Sequence, residues 1–167
     1  LKYFDHIHPQ ETSSGVFSVP YEFYAPGKYR IWIDFTIDGM WHIVDFDLDV
    51  AKGSGKLPDN NLDGIDVKLS SMNAPITGET SKIDFIVTYD DGRPAKIEEK
   101  LLAAAAHLII IDGILEEFGH AHDEKFDGDN MLSFNYEFMK PGKHKLWLQF
   151  SLENVVRTAE FEIDVSE

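Results

Sequence analysis

The 167 residues include no cysteine. That absence excludes disulfides, thiolate zinc sites, iron–sulfur ligation and a cysteine nucleophile. Positive charge is scarce too: 15 Lys and Arg stand against 30 Asp and Glu, a formal charge of −15. Such a surface repels the phosphates of nucleic acid and anionic membranes, so neither is expected as a partner. Long apolar runs are also missing. The longest, Leu101 to Ile111, is interrupted by His107 and falls short of the ~20 residues a membrane-spanning helix needs. No G-x-S-x-G elbow, Walker loop, G-x-G-x-x-G or H-E-x-x-H occurs, and no catalytic residue is nominated. A non-enzymatic protein is expected.

What is present suffices for a core: 43% of the residues are hydrophobic and 13% aromatic, which excludes a disordered acidic tail. The length suits one large domain or two small ones. An internal repeat favours two. Tyr21-Glu22-Phe23 and Pro26-Gly27-Lys28 recur as Tyr136-Glu137-Phe138 and Pro141-Gly142-Lys143, an offset of 115. At that offset Trp32 meets Trp147, Phe35 meets Phe150, Phe46 meets Phe161, and 11 of the 30 positions from 21 to 50 are identical. Upstream the register slips to 114, where Leu1, Phe4, His6 and His8 fall on Leu115, Phe118, His120 and His122.

This repeat predicts a C-terminal half-module over 1–50, a linker over 51–62 and a complete module over 63–167. The stretch 63–114 has no counterpart in the first module. The first module therefore reads as starting midway through its own fold, and the Leu1 start as that of a piece of a longer protein. The linker carries Gly53, Ser54, Gly55, Pro58 and Asn60-Asn61.

The local pattern is β throughout. Lys82 to Tyr89 alternates and ends at the turn signal Asp90-Asp91-Gly92-Arg93-Pro94. Tyr29 to Phe35 and His144 to Phe150 each follow a Pro-Gly turn and place Trp mid-strand. Ile37-Asp38-Gly39-Met40 reads as a hairpin tip, followed by a strand whose Val44, Phe46, Leu48 and Val50 share a face. His107 to Ile111 reads as a strand buried on both sides. The exception is Ala95 to Ala106, where Glu98 to Leu102 and the alanines suggest a helical turn. Six or seven short strands in the second module predict an all-β protein of immunoglobulin-like sandwich modules in tandem, the first truncated.

Four of the seven histidines form two His-x-His pairs, His6/His8 and His120/His122. In a strand, residues i and i+2 point the same way, which brings two imidazoles within chelating reach. Neutral imidazole suits copper and zinc, so each pair offers two of the three or four ligands such ions take. His107 is a third candidate ligand in the second module, and Met131, a thioether suited to Cu(I), a fourth. In the first module His42 is available beside Met40. The alternative is a polar edge whose histidines bond to backbone and hold no ion. His144 aligns with Tyr29 and reads as structural or solvent-facing.

Asp59-Asn60-Asn61-Leu62-Asp63-Gly64 matches the start of a calcium loop, but Ser70 stands at the twelfth position, so a polar turn is expected. Asp123, Glu124, Asp127 and Asp129 read as a solvated acidic loop. Asp45, Asp47 and Asp49, like Glu160, Glu162 and Asp164, alternate with apolar residues as on a sheet's solvent face. The strand-centre Trp and Phe residues are expected in the core, whereas Trp41, near a hairpin tip, is expected to be exposed.

The second module reads Asp91-Gly92-Arg93-Pro94, Ala106-His107-Leu108-Ile109-Ile110, Leu115 to Phe118, His120-Ala121-His122, Tyr136-Glu137-Phe138, Pro141-Gly142-Lys143 and Leu146-Trp147-Leu148-Gln149-Phe150. The first has Phe4-Asp5-His6-Ile7-His8-Pro9 and Pro26-Gly27-Lys28-Tyr29. This order of motifs resembles the YtkA-like domain of bacterial extracytoplasmic proteins. The resemblance implies a secreted, periplasmic or lipid-anchored sandwich without catalytic activity, linked to copper handling and to a copper-handling partner. It carries the family's histidines onto His107, His120, His122, His6 and His8. Asp123 stands where the family has proline, as Pro9 does in the first module, and is expected to loosen the turn after His122. The first module lacks the strand histidine. Its unpaired edges are expected to be covered by the second module or by a second chain, as a homodimer.

Overall fold

Apolar and polar side chains alternate along most of the chain, with β-branched and aromatic residues at the apolar positions, a pattern that suits a pleated sheet with one buried face. In a computed structural model, residues 3–56, 59–97, 104–123 and 130–167 are described. They form an all-β protein: eleven strands and, among the described residues, no helix. Of the stretch Ala95 to Ala106, expected to hold a helical turn, residues 98–103 lie outside the described residues, while 95–97 and 104–105 are not helical and Ala106 already belongs to a strand. Glu124, Asp127 and Asp129 of the acidic loop and Pro58 of the linker also lie outside the described residues. The chain divides into two compact units, Leu1–Asp59 and Asn60–Glu167.

The first unit holds a short hairpin, β1 (Gln10–Ser13) with β2 (Val16–Ser18), and a long one, β3 (Gly27–Ile37) with β4 (Met40–Val50). Asp38 and Gly39 at the tip of the long hairpin both have positive φ, 51° and 77°. That is the two-residue I′ turn whose twist matches the flanking strands. Ring contacts among Tyr21, Phe23, Tyr24 and Tyr29 pack the approach to β3. The Tyr29 hydroxyl donates to the Ala25 carbonyl (2.9 Å), and the backbone N–H of Ser54 and of Gly55 donates to Phe23 and Tyr24.

The second unit is a β-sandwich. One sheet joins β5 (Ile65–Met72), β6 (Thr80–Tyr89) and β9 (Met131–Glu137) in the order β5-β6-β9. The other joins β7 (Ala106–Asp112), β8 (Phe118–His122), β10 (Gly142–Leu152) and β11 (Val155–Val165) in the order β11-β10-β7-β8. All pairings between these strands are antiparallel. Seven strands split three and four between facing sheets are the immunoglobulin-like arrangement. The core lies between them, with Ile83, Phe85 and Val87 from β6, Leu132 and Phe134 from β9, Leu108 and Ile110 from β7, and Leu146, Leu148 and Phe150 from β10.

The two long hairpins share one register. Gly27↔Val50 through Ile37↔Met40 become Gly142↔Val165 through Leu152↔Val155, each pair displaced by 115. Their surroundings differ. Phe150 is buried in the core as expected, but its counterpart Phe35 and the apolar Phe46 are exposed, because among the described residues β3 and β4 form a sheet of two strands with no second layer over that face. Trp147 departs from expectation in another way: it is buried outside the core cluster, and its indole N–H donates to Glu160 (3.3 Å) on the opposite face of the sheet. Trp41 is exposed. The carboxylate faces are solvated ion pairs, Arg30 with Asp45 and Asp47, and Lys143 with Glu162 and Asp164.

Candidate metal centre

All seven residues of β7 are buried. Ala106, Leu108 and Ile110 belong to the core, so the alternate residues His107 and Ile109 face the other side of the sheet. β8 lies antiparallel beside β7, with His122 opposite His107 and His120 opposite Ile109. Residues directly opposite on paired strands share a face, and so do residues two apart on one strand. The three imidazoles therefore gather on the outer face of β7 and β8.

Ring centroids are 5.1 Å apart for His107 and His120, 4.7 Å for His107 and His122, and 4.9 Å for His120 and His122. His107 Nδ1 lies 2.9 Å from His120 Nε2, and one of the two nitrogens donates to the other. Exposure rises across the group: His107 is buried, His120 half-buried and His122 exposed.

Two features hold β8 in this position. Gly119 sits under the ring of Tyr136, and a Cβ at Gly119 would collide with that ring. The strand's end is tied by Asp123, whose N–H donates to the Ala106 carbonyl (3.3 Å) and whose Oδ1 accepts the Ser133 N–H (2.6 Å). Asp123 itself is anchored: its carboxylate supplies an acceptor that proline lacks and joins the end of β8 to β9, while residues 124–129 of the turn lie outside the described residues.

The remaining candidates lie on other segments of the chain. Met131 opens β9 opposite Ile86 and is exposed. In the first unit His6 and His8 bring their Nε2 atoms to 3.1 Å of each other. His42 lies on β4 with its ring stacked on Phe35, centroids 5.5 Å apart. The calcium-loop match at Asp59 to Gly64 is a turn into β5: the Leu62 carbonyl accepts the Ile65 N–H, and Asn61 Nδ2 donates to the Val156 carbonyl.

A polar cluster not anticipated from the sequence underlies the start of β8. Glu117 is buried, and its carboxylate accepts from the Tyr136 hydroxyl (2.9 Å), the N–H of Met139 (2.9 Å), the N–H of Lys140 (2.9 Å) and His144 Nε2 (3.1 Å). His144 is fully buried, so the structural of its two expected roles is the one it fills. Burial disfavours charge on both groups, yet the mutual hydrogen bond, aided by Met139 and Tyr136, keeps Glu117 below its ordinary value of 4.5. For His144 burial is likewise outweighed by Glu117 and the Gly142 carbonyl, which hold it above 6.5. Asp112 Oδ1 accepts the N–H groups of Glu116 (2.7 Å) and Glu117 (2.9 Å), closing the β7–β8 turn.

Compared with known proteins, the chain matches one family model, described as a domain of unknown function (DUF8832), over residues 1–52 and 60–167. No curated protein matches it.

Proposed function

From its membership of the DUF8832 family, whose description assigns no role, and from its own residues, we propose that the chain is a non-enzymatic, extracytoplasmic metal-binding protein that prefers copper. The ligands in the second unit are His107, His120 and His122. One observation carries this reading: three imidazoles from two adjacent strands share one face of the sheet, with ring centroids within 5.1 Å of one another. With no cysteine in the chain, the donor set is nitrogen, which suits copper and zinc over calcium or magnesium.

The nearest donor pair, His107 Nδ1 and His120 Nε2 at 2.9 Å, would exchange its hydrogen bond for bonds to the ion. His122, exposed on the same face, would complete the set by turning a nitrogen inward. The ion would leave an open position toward solvent, which suits uptake and release to a copper-handling partner. The resemblance to YtkA-like domains supports the copper preference and the placement outside the cytoplasm. The shared hairpin register supports reading the two units as tandem repeats of one module, with His6 and His8 as the first unit's partial set.

Copper titration followed by calorimetry and EPR tests the site. Wild type should bind one ion tightly with a nitrogen-rich spectrum, and His120→Ala/His122→Ala should weaken binding by about a hundredfold or more. Equal, weak binding by both proteins sinks the reading. Affinity should fall below about pH 6, because imidazole, with a reference value of ~6.5, must be neutral to ligate.

A metal-free adhesion or spacer module is the second reading. The hydrogen bond between His107 and His120 favours it, since it pairs one nitrogen of each ring without an ion. Histidine NMR signals that do not move on adding zinc would decide for it.

A further inference from the structure

β7 lies between β8 and β10, so its outward side chains meet neighbours on both sides. His107 stands opposite His122 on β8 and opposite Gln149 on β10, and Gln149 in turn stands opposite Thr158 on β11. Directly opposite residues share a face, with Cβ atoms about 4.5–5.5 Å apart, so the four form one row across the sheet, Thr158-Gln149-His107-His122. The neighbours of Gln149 along β10, Leu148 and Phe150, belong to the core, which puts Gln149 on the outer face with the histidines. Gln149 is 7% exposed and His107 1%. The Gln149 amide is fixed from the edge of the sheet. Its Nε2 donates to Thr158 Oγ1 (3.2 Å), and the Thr158 N–H donates to the Asn60 carbonyl (3.0 Å). With Nε2 so engaged, Gln149 offers Oε1 as an acceptor.

We propose that Gln149 is a positioning residue for the metal centre: its Oε1 accepts the Nε2–H of His107 and fixes the tautomer that presents Nδ1 to the ion. This rests on the reading of His107, His120 and His122 as ligands. A neutral imidazole has one N–H and one free lone pair in the ring plane, so a ring that ligates through Nδ1 carries its proton on Nε2. His107 turns Nδ1 to within 2.9 Å of His120 Nε2, which makes Nδ1 its atom for an ion shared with His120. The two nitrogens point to different sides of the ring, so the Nε2–H faces away from His120. Buried as His107 is, that N–H needs an acceptor. Of the two residues directly opposite, His122 is itself a ligand, and Gln149 is the one whose side chain accepts without giving up a bond to the ion. An acceptor behind a histidine ligand fixes its ring and raises its basicity. In the metal-free protein the same tautomer makes His120 the donor of the 2.9 Å bond.

Long-range proton–nitrogen NMR of the metal-free full chain reads the tautomer directly. Wild-type His107 should be almost wholly the Nε2–H form. Gln149→Leu, similar in size but without an acceptor, should give a mixture of both tautomers, and Thr158→Val should do so in part. Copper titration of the same proteins against a competing chelator should show about a tenfold to hundredfold loss of affinity for Gln149→Leu. Gln149→Glu, which restores an acceptor, should recover most of that loss. Thr158→Val matches threonine in shape and lies on an edge strand, so it carries the test by itself if Gln149→Leu does not fold. Wild-type His107 in the Nδ1–H form, or an Nε2–H form unmoved by both Gln149→Leu and Thr158→Val, overturns the proposal. Unchanged copper affinity in Gln149→Leu overturns it as well. A wild type that binds copper no tighter than His120→Ala/His122→Ala is a different failure. It sinks the metal-binding reading, while the metal-free tautomer still decides whether Gln149 holds His107.

Discussion

Glu117 accepts four hydrogen bonds inside the second unit, two from backbone N–H groups and two from the side chains of Tyr136 and His144. Removing an acceptor so placed strands several buried donors, and breaking a buried pair of this kind costs about 3–5 kcal/mol. Glu117→Leu should lose that much in urea unfolding. The pair also sets a pH dependence. His144, raised in the fold, contributes stabilisation that is complete below its ordinary 6.5 and fades as pH climbs through its raised value. Glu117, lowered in the fold, contributes above its ordinary 4.5 and fades as pH falls through its lowered value. Their contribution is greatest between 4.5 and 6.5. Glu117→Gln should flatten both flanks of the stability profile, and an unchanged profile would show that the pair does not set it.

At the scale of elements, β8 is the part on which the three imidazoles depend. Its five residues pair with β7 in a register that sets His122 against His107. A one-residue slip would turn both histidines of the pair to the other face. Gly119 guards that register, because only a residue without Cβ fits beneath the Tyr136 ring. Gly119→Val should cost about 1–3 kcal/mol through forced displacement of backbone or ring. It should also disperse the His120 and His122 signals in a histidine NMR spectrum. A fully stable variant with unmoved histidine signals would show that the close approach is not what holds β8.

The whole molecule joins a unit with a full core to one without. Among the described residues, the second unit buries twenty hydrophobic residues in one cluster. Excised residues 60–167 should therefore unfold in a single cooperative transition close to that of the full chain. Residues 1–59 hold two ribbons of two strands each and an aromatic cluster at the entry to β3. Alone, and dilute enough to prevent self-association, they should show no cooperative transition by circular dichroism. A sharp melt of 1–59 under those conditions would mean that the aromatic cluster suffices as a core.

Strand periodicity and the gathering of His120 with His122 on one face were legible in the sequence, because both are local. Side-chain direction in an extended chain repeats every two residues whatever surrounds it. The first unit's long hairpin was legible for the same reason, since its Asp38-Gly39 tip and an alternating run define it within 25 residues or fewer. Three things came only from the tertiary structure. Which strand stands beside β8, and hence that His107 meets His122, depends on sheet order. The Glu117–His144 pair joins side chains 27 residues apart through the packing of two turns. The exposure of Phe35 and Phe46, whose hydropathy alone reads as core, depends on whether a second sheet covers them. Alternation records that a face is apolar; only the folded chain says what, if anything, lies against it.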